Sequence, residues 1–310
     1  MSIKHAGLRG AGTAIVWFAV ILGFNHKVMG AETGTLGADA STKFAPVTDE
    51  RLTHPDAADW LMFRRTYDGG GFSPLKQINT KTVKDLVPVW SYSTGVNAGH
   101  EAAPLINQGV MYVTGAYNKL FALDAKTGDL LWKYSREIPD DALGVICCDV
   151  VNRGVALYGD KVYMGTLDAH LIALDAKTGK IVWDQQVGDY KKAQTITAAP
   201  LVIKGKVVTG MAGGEYGVRG YLAAYDAETG KEAWKTYTIP GPGQKGNDSW
   251  EGESWKKGGG STWLTGTYDP QSNLIFWGVG NPGPWAGAGA TRRQSLHRID
   301  HCLRRRYRRD

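Results

Sequence analysis

The chain has 310 residues, enough for one large domain or two smaller ones. Hydrophobic residues make up 43% and charged residues 21%, the balance of a globular protein with a sizeable core; 41 glycines and 11 tryptophans point to a turn-rich, all-β chain. The net charge of +6 belongs to the segment from Thr291 to Asp310, where eight arginines face Asp300 and Asp310, so the rest of the chain is neutral and has no polycationic body.

The N-terminus has the form of a secretory signal. Lys4 and Arg9 precede an uncharged apolar run of 11 residues from Ala14 to Phe24, followed by Asn25, His26 and Lys27. That run is too short to span a bilayer and suits the apolar region of an export signal. Residues 1–31 are therefore expected to be a signal peptide, cut near Val28-Met29-Gly30 or at Ala31, with an uncleaved anchor as the alternative. Export would place the mature chain in an oxidising compartment.

After the signal, Asp59 to Asn79 reads as an irregular lead-in, and LVPVWSYSTG (Leu86 to Gly95) as the final strand of a β-blade. Three near copies follow: ALDAKTGDLLW from Ala122, ALDAKTGKIVW from Ala173 and AYDAETGKEAW from Ala224, spaced by 51 residues each time. A fixed period of this length marks a propeller or solenoid. Each copy joins an alternating strand to a Trp-bearing strand through an Asp-x-x-Thr-Gly turn, in which Asp caps the turn and Gly supplies positive φ. Further strands, GVMYVTG (Gly109 to Gly115) and KVYMGTL (Lys161 to Leu167), precede the turns, giving about four strands per period, the content of one propeller blade. SNLIFWGVG (Ser272 to Gly280) adds a strand of a further blade. Trp132, Trp183 and Trp234 recur at the repeat spacing and are expected to pack between blades.

Cys147 and Cys148 are adjacent in the string ICCDVVNRG (Ile146 to Gly154). Neighbouring Cα atoms stand about 3.8 Å apart across a trans peptide, below the roughly 4.4–6.8 Å of ordinary disulfides. Two readings follow from the residues alone: two reduced thiols on a half-buried strand, or a strained bond of the labile or functional kind.

The repeats and several rarer strings together resemble the pyrroloquinoline quinone (PQQ) dependent alcohol dehydrogenases of the methanol/ethanol type, from about Asp59 to Trp285. The resemblance implies an eight-bladed β-propeller, of which residues 32–285 would be the N-terminal half, exported to the periplasm and passing electrons to a cytochrome c. Within ICCDVVNRG it implies a vicinal Cys147–Cys148 disulfide stacked on one face of the quinone, and Arg153 paired with a cofactor carboxylate. GHEAAPL (Gly99 to Leu105) points to Glu101 and TITAAPL (Thr195 to Leu201) to Thr197 as cofactor contacts. AGGEYGVRGY (Ala212 to Tyr221) places Gly213 and Gly214 close to the quinone, with Ala212 where a serine is often found. GGGSTW (Gly258 to Trp263) supplies Ser261 and Trp263, the latter covering the second quinone face. Glu215 and, in GVGNPGPW (Gly278 to Trp285), Asn281 match metal ligands; carboxylate and amide oxygens suit Ca²⁺, with a lanthanide in some members.

The implied reaction is oxidation of a primary alcohol by hydride transfer to PQQ. The family's general base is an aspartate beyond the segment matching GNPGPW, and no residue of this chain is assigned to that role; little or no activity is expected of the 310 residues alone. No CxxCH haem motif is present. Residues 286–310 break the pattern. Codons permissible for Arg292 to Arg308, read one nucleotide later, can spell GDNLYTASIIAFDADTG, which restores an Asp-x-x-Thr-Gly turn. A frameshift near the C-terminus is therefore expected, and resequencing the gene tests it. A nucleic-acid-binding or anionic-surface arm is the weaker reading of this tail, so no nucleic-acid partner is expected, nor a transmembrane anchor after signal cleavage. The rival to the whole assignment is a noncatalytic propeller serving as an interaction scaffold of the outer-membrane assembly type.

Overall fold

A computed structural model describes residues 44–283 and a short strand at 305–306. The expected signal peptide, and all of the arginine-rich tail except those two residues, lie outside the described residues.

The repeats fold as three four-stranded antiparallel sheets, each in chain order. The first holds β1 (Leu105–Asn107), β2 (Val110–Gly115), β3 (Lys119–Asp124) and β4 (Leu130–Ser135). The second holds β5 (Ala156–Tyr158), β6 (Lys161–Gly165), β7 (His170–Asp175) and β8 (Ile181–Gln186). The third holds β9 (Leu201–Ile203), β10 (Lys206–Gly210), β11 (Tyr221–Asp226) and β12 (Glu232–Tyr237). A fourth sheet contains β13 (Thr267–Asp269), β14 (Leu274–Phe276) and β15 (Arg305–Arg306). The only α-helix among the described residues, α1 (Asp49–Thr53), is a single turn capped by Thr48. No described helix is long and apolar enough to cross a membrane. The strands form blades of a β-propeller, as the period of 51 residues predicts.

The three turns share one mechanism. Asp175 Oδ1 accepts from the backbone N–H of Lys177 and Thr178 and from the Thr178 hydroxyl, and Asp226 does the same with Glu228 and Thr229. In the first blade, Asp124 accepts the equivalent backbone bonds, but Thr127 donates its hydroxyl to Asp129, because position 129 carries a carboxylate where the later copies have lysine. Gly128, Gly179 and Gly230 complete the turns at φ +80°, +69° and +71°.

Those glycines also receive the preceding blade. The Trp132 indole lies on Gly179, where an added Cβ would stand 2.5 Å from the ring, and Trp183 lies on Gly230 in the same way at 2.9 Å. Each indole donates its Nε1–H over 3.0 Å to a carbonyl of the turn it covers, Trp132 to Ala176 and Trp183 to Ala227. Tyr112 and Tyr163 donate their hydroxyls to the same two carbonyls. Across the ladder each tryptophan faces an alanine (Ala122, Ala173 and Ala224), and the register shifts immediately after that pair in all three blades. A small residue opposite a large one leaves room for the ring, and the bulge re-aims it toward the next blade.

The segment Leu86 to Gly95 differs from the expectation. It forms no strand, although Trp90 donates to the Ala125 carbonyl at 3.3 Å and rests on Gly128 as the later tryptophans do. A strand exists only where a neighbour supplies its ladder, and no described strand pairs with this segment. The interblade tryptophan contact therefore forms without the strand that carries it in the later blades.

One continuous core runs through the blades, and a second, small cluster joins Ala116, Ala142, Ile146, Val150 and Leu167 at one end of the first two. Trp132 is 1% exposed. Replacing it with alanine removes a buried ring and leaves a cavity, so Trp132→Ala is expected to cost about 3–5 kcal/mol in urea unfolding. Gly179→Ala is expected to destabilise the same junction, since the turn needs positive φ and its Cβ would meet the Trp132 indole.

Candidate functional site

The blades feed the site from two places: the segment before the first strand in all four sheets, and the segment after the second strand in the third and fourth. Glu101 precedes β1, Cys147 to Arg153 precede β5, and Thr197 precedes β9. Gly213 and Glu215 follow β10, Ser261 and Trp263 precede β13, and Asn281 follows β14. Antiparallel pairing of first and second strands brings these two segments to one end of every sheet.

The VNRG part of the cysteine string is pinned by a buried amide. Asn152 Oδ1 accepts from Gly154 N–H at 2.9 Å, and its Nδ2 donates to the Gly165 carbonyl at 2.8 Å. The Arg153 N–H donates to the Thr197 carbonyl at 3.0 Å, and Ala103 N–H donates to the Arg153 carbonyl at 3.4 Å. Three blades thus meet at one arginine. Its guanidinium pairs with Glu101, Nη2 to Oε2 at 2.6 Å, and its carbon stands 4.9 Å from the centre of the Trp263 ring. The Glu101 side chain is 46% exposed, so the ion pair is worth no more than about 1 kcal/mol. Its larger effect is on orientation.

Cys147 and Cys148 form a disulfide with Cα atoms 3.8 Å apart, in an irregular segment rather than on a strand. Cys147 is half-buried and Cys148 exposed. Both Cys148 (φ 66°) and Asp149 (φ 78°) are left-handed.

The other side of the site is built by close backbone approach. Gly213 sits at φ +91°, and a Cβ there would fall 1.8 Å from the Ala193 carbonyl oxygen. The Gly280 N–H donates to the Ser261 carbonyl at 2.7 Å, and Gly260 N–H donates to the Asn281 carbonyl at 2.8 Å, so the segments before β13 and after β14 are stitched together. Thr197 and Ser261 are buried, while Trp263 is 39% exposed.

These residues surround one cavity of about 530 Å³. Glu101, Cys147, Cys148, Arg153, Thr197, Gly213, Glu215, Ser261, Trp263 and Asn281 all line it, and Ala212 and Gly280 complete the wall. Gly214 is not on the wall. It is buried against Ser261, whose Oγ would be 2.8 Å from an added Cβ. Gly280 has the same relation to Ser261 at 2.7 Å and was not singled out by sequence reasoning, although it lies inside the string GVGNPGPW. Asp149 and its partner Gly99 were also missed; a bond between a carboxylate and a backbone N–H 50 residues away has no signature in spacing.

The cavity sets one cationic side chain, Arg153, against two carboxylates, Glu101 and Glu215, so an anionic ligand would need a further cation beside it. A permanently charged guanidinium, two buried hydroxyl-bearing side chains, an indole and a disulfide share its wall. Glu215 and Asn281 offer carboxylate and amide oxygens of the kind a hard cation takes. Among the described residues no group of three His, Cys, Asp or Glu side chains could hold a metal, so these two oxygens would need further donors.

The family model for the beta-propeller domain of PQQ glucose/ethanol/alcohol dehydrogenases matches residues 60–298. The quinoprotein alcohol dehydrogenase PedH of Pseudomonas putida is 47% identical over 235 residues, covering 70% of this chain and 39% of the relative. The lanthanide-dependent methanol dehydrogenase of Methylacidiphilum fumariolicum is 42% identical over 272 residues, covering 80% of this chain and 44% of the relative. Among solved structures, the quinohemoprotein alcohol dehydrogenase ADHIIG of Pseudomonas putida HK5 superposes with a TM-score of 0.74 at 45% identity, over 78% of this chain and 37% of that one. The chain thus spans less than half the length of these relatives. Its blades, and a family match that covers the first three of them whole and enters the fourth, make the chain a member of the PQQ-dependent alcohol dehydrogenase family, with part of that family's β-propeller.

Proposed function

We propose that this chain carries the PQQ-binding wall of a periplasmic quinoprotein alcohol dehydrogenase that oxidises primary alcohols and passes the electrons to a cytochrome c. The observation that carries the reading is the convergence on one cavity of Arg153, Trp263, the Cys147–Cys148 pair and the Glu215 and Asn281 oxygens, drawn from separate blades. When bound, PQQ supplies the two-electron acceptor for the alcohol's hydride, with a Ca²⁺ or lanthanide ion as Lewis acid.

The chain's own residues would bind and orient. Arg153 would hold a ligand carboxylate, which requires that ligand to share or replace Glu101 as the guanidinium's partner. Trp263 and the disulfide would flank a planar ring system, and burial of Thr197 and Ser261 would make their hydrogen bonds to it stronger than in water. Gly213 and Gly280 would exclude side-chain bulk from the wall. Glu215 and Asn281 would contribute two of the six to eight oxygens that Ca²⁺ takes.

Titration of the full chain with PQQ in the presence of Ca²⁺, followed by quenching of tryptophan fluorescence, tests the reading. Saturable binding is expected, and Trp263→Ala should weaken it by ~10-fold or more, the loss of one aromatic stacking contact. Glu215→Gln should remove most of the Ca²⁺ dependence while leaving metal-free binding unchanged. No saturation at any PQQ concentration would favour a noncatalytic propeller if it persisted with the full-length reading frame restored.

With no general-base residue assigned in this chain, binding without turnover is expected. Assay with ethanol and an artificial electron acceptor after PQQ and Ca²⁺ loading measures it directly. Robust turnover would show that a group among these residues takes the alcohol proton.

A further inference from the structure

The turn that carries the cysteines is held at its ends and bulges between them. Ile146 on one side and Val150 on the other sit in the small apolar cluster with Ala116, Ala142 and Leu167, and the Val150 carbonyl accepts from Tyr117 N–H at 3.1 Å. Cys147, Cys148 and Asp149 project from that anchorage toward the cavity and solvent. Two consecutive non-glycine residues there are left-handed, a conformation unfavourable for a residue with a Cβ that persists only when neighbours impose it.

Asp149 supplies the constraint. Its side chain is exposed, yet both carboxylate oxygens are occupied by backbone donors. Val150 N–H donates to Oδ1 at 2.7 Å, and Gly99 N–H, on the segment that carries Glu101, donates to Oδ2 at 2.7 Å. The approach is close enough to exclude a side chain at Gly99, whose Cβ would stand 2.7 Å from Asp149 Oδ2 and 3.0 Å from Val151 Cγ1. The hydrogen bonds of His100, the residue next to Gly99, run within its own segment, to Ala98 and Thr94. Three links therefore tie the Glu101 end of that segment to the cysteine segment: the Gly99–Asp149 bond, the Arg153–Glu101 ion pair and the Ala103 N–H bond to the Arg153 carbonyl.

We propose that Asp149 is a positioning residue of the cavity, its carboxylate bracketing the Cys147–Cys148 turn to the Glu101 segment and so fixing two walls of the site against each other. The bonds from Val150 and Gly99 hold the carboxyl below the usual aspartate range. A depressed acid keeps its bonds at every pH above the unfolded value near 4 and loses them only as pH falls through the folded value beneath it, so the bracket is complete at neutral pH. The consequence for ligand binding rests on the PQQ reading; the consequence for the cysteine turn does not.

Two readouts on the full chain separate the two. The first is the rate at which dithiothreitol reduces Cys147–Cys148, followed by thiol titration in a Cys302→Ser background. The second is the PQQ dissociation constant from tryptophan quenching. In Asp149→Ala, reduction is expected to be ~10-fold faster and PQQ binding ~10-fold weaker, the loss of about one charge-assisted hydrogen bond, with a proportionately smaller fall in the urea midpoint. Asp149→Asn retains one acceptor oxygen and should fall between wild type and alanine in both readouts. A wild-type reduction rate in Asp149→Ala overturns the proposal, as does a faster rate matched by an equal loss of urea stability in both variants. Failure of the wild-type chain to bind PQQ would remove the cofactor reading, while the reduction rates would still decide the role of Asp149.

Discussion

An indole lying on a glycine sets the relation between one blade and the next, and the site depends on that relation. The ring of Trp132 or Trp183 covers a turn with no room for a Cβ, and its N–H ends on a turn carbonyl that also accepts a tyrosine hydroxyl. A buried carbonyl with two donors is fully satisfied, so sliding or rotating one blade against another would leave polar groups unpaired in the core. The cavity has no sheet of its own. It consists of loops from successive blades, and its shape is the sum of these junction angles.

Within the cavity, Arg153 is fixed before any ligand arrives. Its backbone is bonded to the Thr197 and Ala103 segments, its guanidinium to Glu101, and the face of Trp263 lies beneath it. An arginine so constrained has little rotamer freedom left to lose, which would favour any carboxylate ligand that took the place of Glu101. The same contacts oppose entry, because the guanidinium already has a carboxylate partner and already covers part of the indole. Affinity at this site is a difference between two well-made arrangements.

Much of this was legible in the chain itself. The period of 51 residues gave the blades because each copy repeats a turn whose chemistry, an aspartate cap and a positive-φ glycine, is local. The cavity residues were legible because they sit in short, unusual strings at equivalent points of the repeat. Leu86 to Gly95 was misjudged as a strand because its alternation is that of one, whereas strand formation depends on a neighbour that sequence alone does not supply. Asp149, Gly99 and Gly280 escaped notice for a different reason: their importance lies in contacts between a side chain and a distant backbone.

The close packing around Ser261 limits how this wall can drift over generations. Gly214 and Gly280 both approach its hydroxyl so nearly that a methyl group on either would collide with it. A change at one of the three alters what the other two tolerate, so their substitutions should be non-additive and should travel together. Arg153, Glu101 and Trp263 form a second such block through direct contact. Ala212 lines the same cavity and takes part in neither set of contacts.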